Sequence, residues 1–170
     1  MAKRSTNQRP KILAAAFAVV ASAGSAHLTL DAVARKAEVS KGGVLYHFPN
    51  KRALLDGMLA SLIERYGPAA DGSRALAAHI ERERAPEPEV SAASLAILAA
   101  AAEDPSLLDP AREVYRSLVS SARRQSDDPE LAAVLILAVE GLRFLRMLDL
   151  WPGDVDPTAR MLELAQTIAR

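Results

Sequence analysis

The sequence predicts an all-α protein, with a three-helix head at its N-terminus and a longer helical body behind it. Three observations carry that expectation. Of the 170 residues 50% are hydrophobic but only 4% are aromatic, and alanine and leucine dominate, a balance that favours helices. Apolar residues recur three and four apart along most of the chain and almost nowhere alternate as a strand requires. Between Thr29 and Lys51, two short helical runs are joined by a tight turn at helix-turn-helix spacing.

Residues 1–8 open polar and basic and read as an arm that either frays or reaches phosphates. From Arg9 to Ala23 a helix presents Ile12, Leu13, Ala16, Phe17 and Val20 on one face, and Gly24-Ser25 ends it. A signal peptide over Lys11 to Ala26 is the weaker reading, because the apolar run continues into the patterned helix-turn-helix.

Thr29 is placed to cap the next helix, with Asp31 in its first turn and Leu30, Val33, Ala34 and Ala37 at helical spacing. Small Ala34 lets a second helix cross closely. The turn begins at Glu38, and Val39 returns to the core. Ser40 offers a second cap, and Val44, Leu45 and Phe48 are expected to form the buried side of the helix that follows. Its exposed face then holds Lys41, Gly42, Gly43 and Tyr46. The paired glycines make this helix intrinsically weak but slim, so its backbone can approach a partner closely.

Pro49-Asn50 breaks that helix, and Asn50 can cap the next, which carries Leu54, Leu55, Met58, Leu59, Leu62, Ile63 and Tyr66 and stops at Gly67-Pro68. Ala69 to Gly72 reads as a linker. The head is therefore expected over residues 1–50, a linking helix over about 50–66, and the body over 67–170. Within the body, helices are expected over Ser73 to Arg84, Glu89 to Ala102 and Ala111 to Gln125, with a loop from Asp104 to Pro110 between the last two. A further helix from about Glu130 to Trp151 is apolar on two faces. One holds Leu131, Leu135, Ala138, Leu142 and Leu145; the other holds Val134, Leu137, Gly141, Phe144, Leu148 and Trp151 at heptad-like spacing. Such a helix needs something on both sides, so the second face predicts a partner. The last helix, about Pro157 to Ala169, shows Met161, Leu164, Ala165 and Ile168.

The formal net charge is zero, but residues 1–52 carry +7 and residues 53–170 carry −7. A basic lobe that coincides with a helix-turn-helix is the electrostatic footprint of a nucleic-acid reader. Lys41, Tyr46, His47 and Lys51 are candidate phosphate donors, as are Thr29 and Ser40 with their helix N-termini. Base reading falls to Lys41, Gly42, Gly43 and Tyr46, among which Lys41 has the obvious base-edge donor, suited to guanine. Half-burial of Tyr46 and simple solvation of Lys51 are the plainer alternatives.

Signs of catalysis are poor. With no cysteine, disulfides and thiolate metal sites are excluded, and a reducing cytoplasm fits. His27, His47 and His79 are dispersed, and no metal-ligand spacing joins them to acids. Asp127-Asp128 and the Glu81/Glu83 pair read as solvated helix-end charges, and Gly42-Gly43 lies in no phosphate-binding fingerprint. No enzyme, metal or cofactor is expected. The longest apolar stretch, Leu131 to Leu150, is broken by Glu140, Arg143, Arg146 and Asp149, so no membrane span is expected.

The run from Ala34 to Phe48, with Tyr46-His47-Phe48-Pro49-Asn50-Lys51 closing it, resembles the DNA-binding domain of the TetR family of bacterial repressors. The resemblance is specific over about Ile12 to Leu59 and looser beyond, where the Val139 to Leu148 run is similar to family members. It implies double-stranded DNA, a small-molecule effector and a second copy of the chain as partners, in a bacterial, nucleoid-associated cytoplasmic setting. It also implies that the last two helices pair with their symmetry mates in a four-helix bundle, with Val134, Leu137, Gly141, Phe144, Leu148, Met161, Leu164 and Ile168 at the interface. The effector pocket implied lies in the body, with Met58, Leu62, Leu95, Leu98, Tyr115, Leu118, Val119, Leu142 and Trp151 as candidate lining; plain core is the alternative for each. A mostly apolar effector is expected, because no charged cluster falls on the predicted inner faces. One departure stands out: the family commonly has glycine in the turn where this chain has Glu38. The rival reading is a helical dimeric binding or scaffold protein without sequence-specific DNA binding.

Overall fold

The computed structural model describes residues 8–66, 75–84 and 87–169, and among them the regular structure is helical. Among the described residues nine α-helices run in chain order: α1 (Arg9–Ala23), α2 (Leu30–Lys36), α3 (Lys41–His47), α4 (Lys51–Tyr66), α5 (Ala75–Arg82), α6 (Pro88–Glu103), α7 (Asp109–Arg124), α8 (Pro129–Met147) and α9 (Thr158–Thr167). Two short 3₁₀ turns, Ser25–His27 and Pro105–Leu108, stand before α2 and α7. The basic arm at residues 1–7, the Gly67-Pro68 stop, the Ala69 to Gly72 linker and the Ser73 start lie outside the described residues.

The chain forms two compact units. The first takes Met1–Leu62 together with Glu87–Leu107, so α6 belongs with α1 to α4. Here α1 packs on α2 and α6, and α2 packs on α3. The core gathers Ile12, Phe17, Leu28, Val33, Val44, Phe48, Leu54 and Met58, with Ala93, Ala96 and Ile97 from α6. Alanines on α6 add little bulk, which suits close packing against α1.

The local signals act as the residue types dictate. The Thr29 Oγ1 accepts a hydrogen bond from the Ala32 N–H (3.1 Å), the Ser40 Oγ from Gly43 (3.0 Å) and the Asn50 Oδ1 from Ala53 (2.8 Å). Each side chain satisfies an otherwise unpaired donor of a helix start. The turn between α2 and α3 holds Glu38 at φ 52°, a left-handed conformation that costs a non-glycine residue about 1 kcal/mol. The departure from glycine noted in the sequence is therefore a strained turn.

Leu45 corrects the expected buried side of α3. Val44 and Phe48 are buried, but Leu45 is 38% exposed. A helix of two turns buries a narrow stripe, and residues 44 and 48 already occupy it.

The second unit takes Ile63–Pro86 and Leu108–Arg170, in which α5 packs on α7, α8 and α9, and α8 on α7 and α9. Its core is Leu76, Ile80, Leu118, Ala122, Ala132, Leu135, Ile136, Val139, Ala165 and Ile168. The Asp128 carboxylate caps α8 through the Leu131 N–H (2.9 Å). That helix ends at Met147, earlier than the expected Trp151. Asp149 turns to φ 55°, and the Leu150 N–H returns to the Leu145 carbonyl (2.8 Å), which closes the helix. Trp151 thus leaves the heptad-like face and donates its Nε1–H to the Val155 carbonyl (2.6 Å). The segment expected as a loop from Asp104 to Pro110 holds the second 3₁₀ turn and the start of α7.

Candidate nucleic-acid interface and the buried cluster of the second unit

The short helix α3 sets out the candidate interface. With Val44 and Phe48 anchored, Lys41, Gly42, Leu45 and Tyr46 are exposed, and Gly43 and His47 are half-buried. Tyr46 is 84% exposed, which removes the half-buried alternative, and its ring meets the His47 ring edge-on at 5.0 Å. Lys41 is not a bare cation: its Nζ lies 3.1 Å from the Asp31 carboxylate on α2. Both partners are exposed, and such a pair is worth at most about 1 kcal/mol, so a DNA phosphate or base can displace it. Thr29, Ser40 and Lys51 are exposed. The two capping hydroxyls accept from backbone N–H groups, which leaves their own O–H free to donate.

Behind Lys51, Arg52 holds the start of α4 in place. Its guanidinium bonds to Asp56 within α4 (2.9 Å), to Asp104 and to Ser106 (3.2 Å), which follow α6. Hydrogen bonds from Ser106 hold the Asp104 carboxyl below its usual range, against desolvation and with help from Arg52. Local sequence pattern carried no sign of this tie, since its partners are 52 and 54 residues apart. Gly57 was equally silent: a Cβ there would come within 2.6 Å of the Phe48 ring.

The candidate pocket residues divide between the units. Met58, Leu62, Leu95 and Leu98 belong to the first, where Met58 and Leu62 are buried and Leu98 is 41% exposed. Tyr115, Leu118, Val119, Leu142 and Trp151 belong to the second, with Leu118 and Leu142 buried. Tyr115 and Val119 also line an open groove along α7 with Arg112, Arg116, Arg123 and Arg124.

The second unit corrects two expectations about charge. Glu83 is buried at 9% exposure rather than solvated, and a charged cluster does stand on inner faces. His79 Nε2 lies 2.7 Å from Glu140 Oε1; Arg143 bonds to Glu140 and donates to the Tyr115 hydroxyl (2.5 Å); Arg146 donates to the Glu83 carbonyl (2.7 Å). Burial and the nearby Glu140 raise the Tyr115 pKa, so the phenol stays protonated. Burial also raises the Glu83 pKa, against the pull of Arg143, His79 and Arg146. The signal available in the sequence was Glu140, Arg143 and Arg146 set inside a mostly apolar helix.

On the candidate dimer face, Val134, Leu137, Phe144 and Leu148 are 57%, 72%, 49% and 39% exposed, and a Cβ at Gly141 would meet nothing within 4 Å. Met161 and Leu164 of α9 are partly buried against the unit's own core, and Ile168, which follows α9, lies within that core, which corrects its expected place at the interface. No helix of the described residues is long and apolar enough to cross a membrane.

The profile described as "Bacterial regulatory proteins, tetR family" matches residues 12–58, and "Tetracyclin repressor-like, C-terminal domain" matches residues 73–170. The chain belongs to the TetR family of transcriptional regulators. Over 53 residues, 31% of this chain, it is 43% identical to the HTH-type transcriptional regulator SrpR of Pseudomonas putida. A match of the same length and identity is to TtgW, also of Pseudomonas putida, named as an uncharacterized HTH-type transcriptional regulator. These matches span 25% of SrpR and 40% of TtgW. Among solved structures, the multidrug binding protein EbrR complexed with ethidium is 25% identical with a TM-score of 0.67, covering 96% of this chain and 99% of that one. EbrR complexed with imidazole gives 25%, 0.65, 98% and 97%. A TetR-family member from Streptomyces coelicolor A3 shares the fold at a TM-score of 0.73 and 23% identity, covering 97% and 99%.

Proposed function

We propose that this protein is a transcriptional regulator that binds a near-palindromic operator as a homodimer, represses from it, and is released by a small-molecule effector. The observation that carries the reading is the outward face of α3. Lys41, Gly42 and Tyr46 are exposed over a buried Val44 and Phe48, within a stretch whose net charge is +7. Thr29, Ser40, His47 and Lys51 supply phosphate donors that set register, while Lys41, Gly42, Gly43 and Tyr46 face the bases. The names of SrpR and TtgW support DNA binding by the matched head.

The dimer is read from α8, where Val134, Leu137, Phe144 and Leu148 leave an apolar stripe uncovered around Gly141. Met161 and Leu164, partly buried against the unit's own core, keep some surface for the same contact, whereas Ile168 is enclosed in that core and drops out of the interface. The likeness to EbrR, a multidrug binding protein solved with imidazole and with ethidium, supports an effector held by the body. The Tyr115–Arg143–Glu140–His79 cluster gives the body polar groups to fix an effector's orientation. Such a protein works on chromosomal DNA in the bacterial cytoplasm.

The test is selection from a pool of random duplexes followed by titration at several salt concentrations. Enrichment of a two-fold symmetric site, bound more weakly as salt rises, is expected. No enrichment and no salt dependence would leave the scaffold reading in its place.

A further inference from the structure

The geometry points to Leu45 as the residue that reads a thymine 5-methyl group in each half of the operator, an assignment that rests on the regulator reading above. Exposed leucines are common on proteins, so exposure alone says little. What matters is where this one stands. Leu45 is 38% exposed on α3, one helical turn after Lys41 and next to Tyr46, and its neighbours Val44 and Phe48 are the residues that fill the core. Leu45 is therefore a part-covered residue whose open side lies on the face of α3 away from the core stripe.

The glycines sharpen the placement. Gly42 adds no side chain to this face, and a Cβ there would meet only the Ser40 hydroxyl oxygen, at 3.9 Å. The first turn of α3 can thus bring its backbone close to a groove, with Leu45 within a turn of the glycine pair. Leucine offers neither donor nor acceptor, so it can bond to no phosphate and to no polar base edge. In the major groove the apolar mark is the thymine methyl, which distinguishes A·T from T·A and from both G·C orientations. Lys41 and Leu45 on one face would then read different chemistry at nearby positions: a guanine acceptor and a thymine methyl.

The experiment uses the full chain and the operator obtained by selection. Each symmetric pair of thymines is replaced in turn by deoxyuridine, which removes the methyl and nothing else. Affinity is measured for the wild type, Leu45→Ala and Leu45→Met, with thermal melts to show that the variants are folded. The expected result is one thymine pair whose replacement weakens the wild type about four-fold per half-site, the worth of one buried methyl. Leu45→Met should keep most of that sensitivity, and Leu45→Ala should lose it, so the two changes are not additive. If Leu45→Ala weakens the thymine and deoxyuridine operators equally at every position, the assignment is overturned while the regulator reading stands. If no operator can be selected at all, both fall together.

Discussion

His79 Nε2 lies 2.7 Å from Glu140 Oε1, a buried polar contact that ties α5 to α8. Burial raises the Glu140 pKa, but the His79 hydrogen bond and the Arg143 charge outweigh it and hold the carboxyl below its ordinary range. A carboxyl depressed in the folded state contributes stability above its unfolded pKa and loses it as pH falls through the folded one. Glu140→Gln should therefore cost about 1–3 kcal/mol at pH 7. The deficit should shrink as pH falls below the ordinary carboxylate range. Urea titrations across that range check it; a deficit independent of pH would mean that shape, not charge, is what Glu140 supplies.

Glu83 should behave with the opposite sign. Burial raises its pKa, so its contribution is present below the unfolded value and lost as pH rises through the folded one. Glu83→Gln removes the ionisation and should raise the melting temperature by a few degrees at pH 8, with the gain vanishing at acid pH. Circular dichroism melts at the two pH values read this directly, and destabilisation at pH 8 would contradict it.

Gly57 is a packing requirement. An added Cβ would stand 2.6 Å from the Phe48 Cε1 and 3.3 Å from the Leu13 Cδ2, and Phe48 is only 2% exposed. Overpacking of this kind costs about 1–3 kcal/mol, against about 1 kcal/mol gained from alanine's helix propensity. Gly57→Ala should thus lower the melting temperature, and because Phe48 ends α3 it should also weaken DNA binding.

The dimer face predicts the outcome of two substitutions. Gly141→Leu places bulk where the structure leaves room for another helix, and Phe144→Asp places charge in an apolar stripe. Light scattering should show monomers for both, with the fold retained, since neither site is buried in the chain itself. A dimer that survives both would move the interface off α8.

What the sequence revealed and what it hid follow from the range of the interactions. Thr29, Ser40 and Asn50 cap helices through bonds to residues three positions away, so a local pattern is enough to find them. The departure from glycine at Glu38 was legible for the same reason, while its positive φ comes from the structure. Leu45 was hidden because two turns of helix with three apolar residues do not say which two meet the core. The His79–Glu140 and Arg143–Tyr115 contacts span 61 and 28 residues, and only tertiary packing brings them together. Charge on an apolar helix reads as an interruption until its partner is known.

The central claim, that the basic head reads DNA through α3 and its neighbours, is tested most directly by the salt dependence of operator binding with and without Lys51. The exposed Lys51 is assigned a phosphate contact, and each contact contributes a slope of about 0.9 in log affinity against log salt. The wild type should show a steep slope. Lys51→Ala should weaken operator and random duplexes alike and flatten that slope by about one unit for each half-site engaged. Affinity that does not change with salt, or a slope untouched by Lys51→Ala, would contradict it.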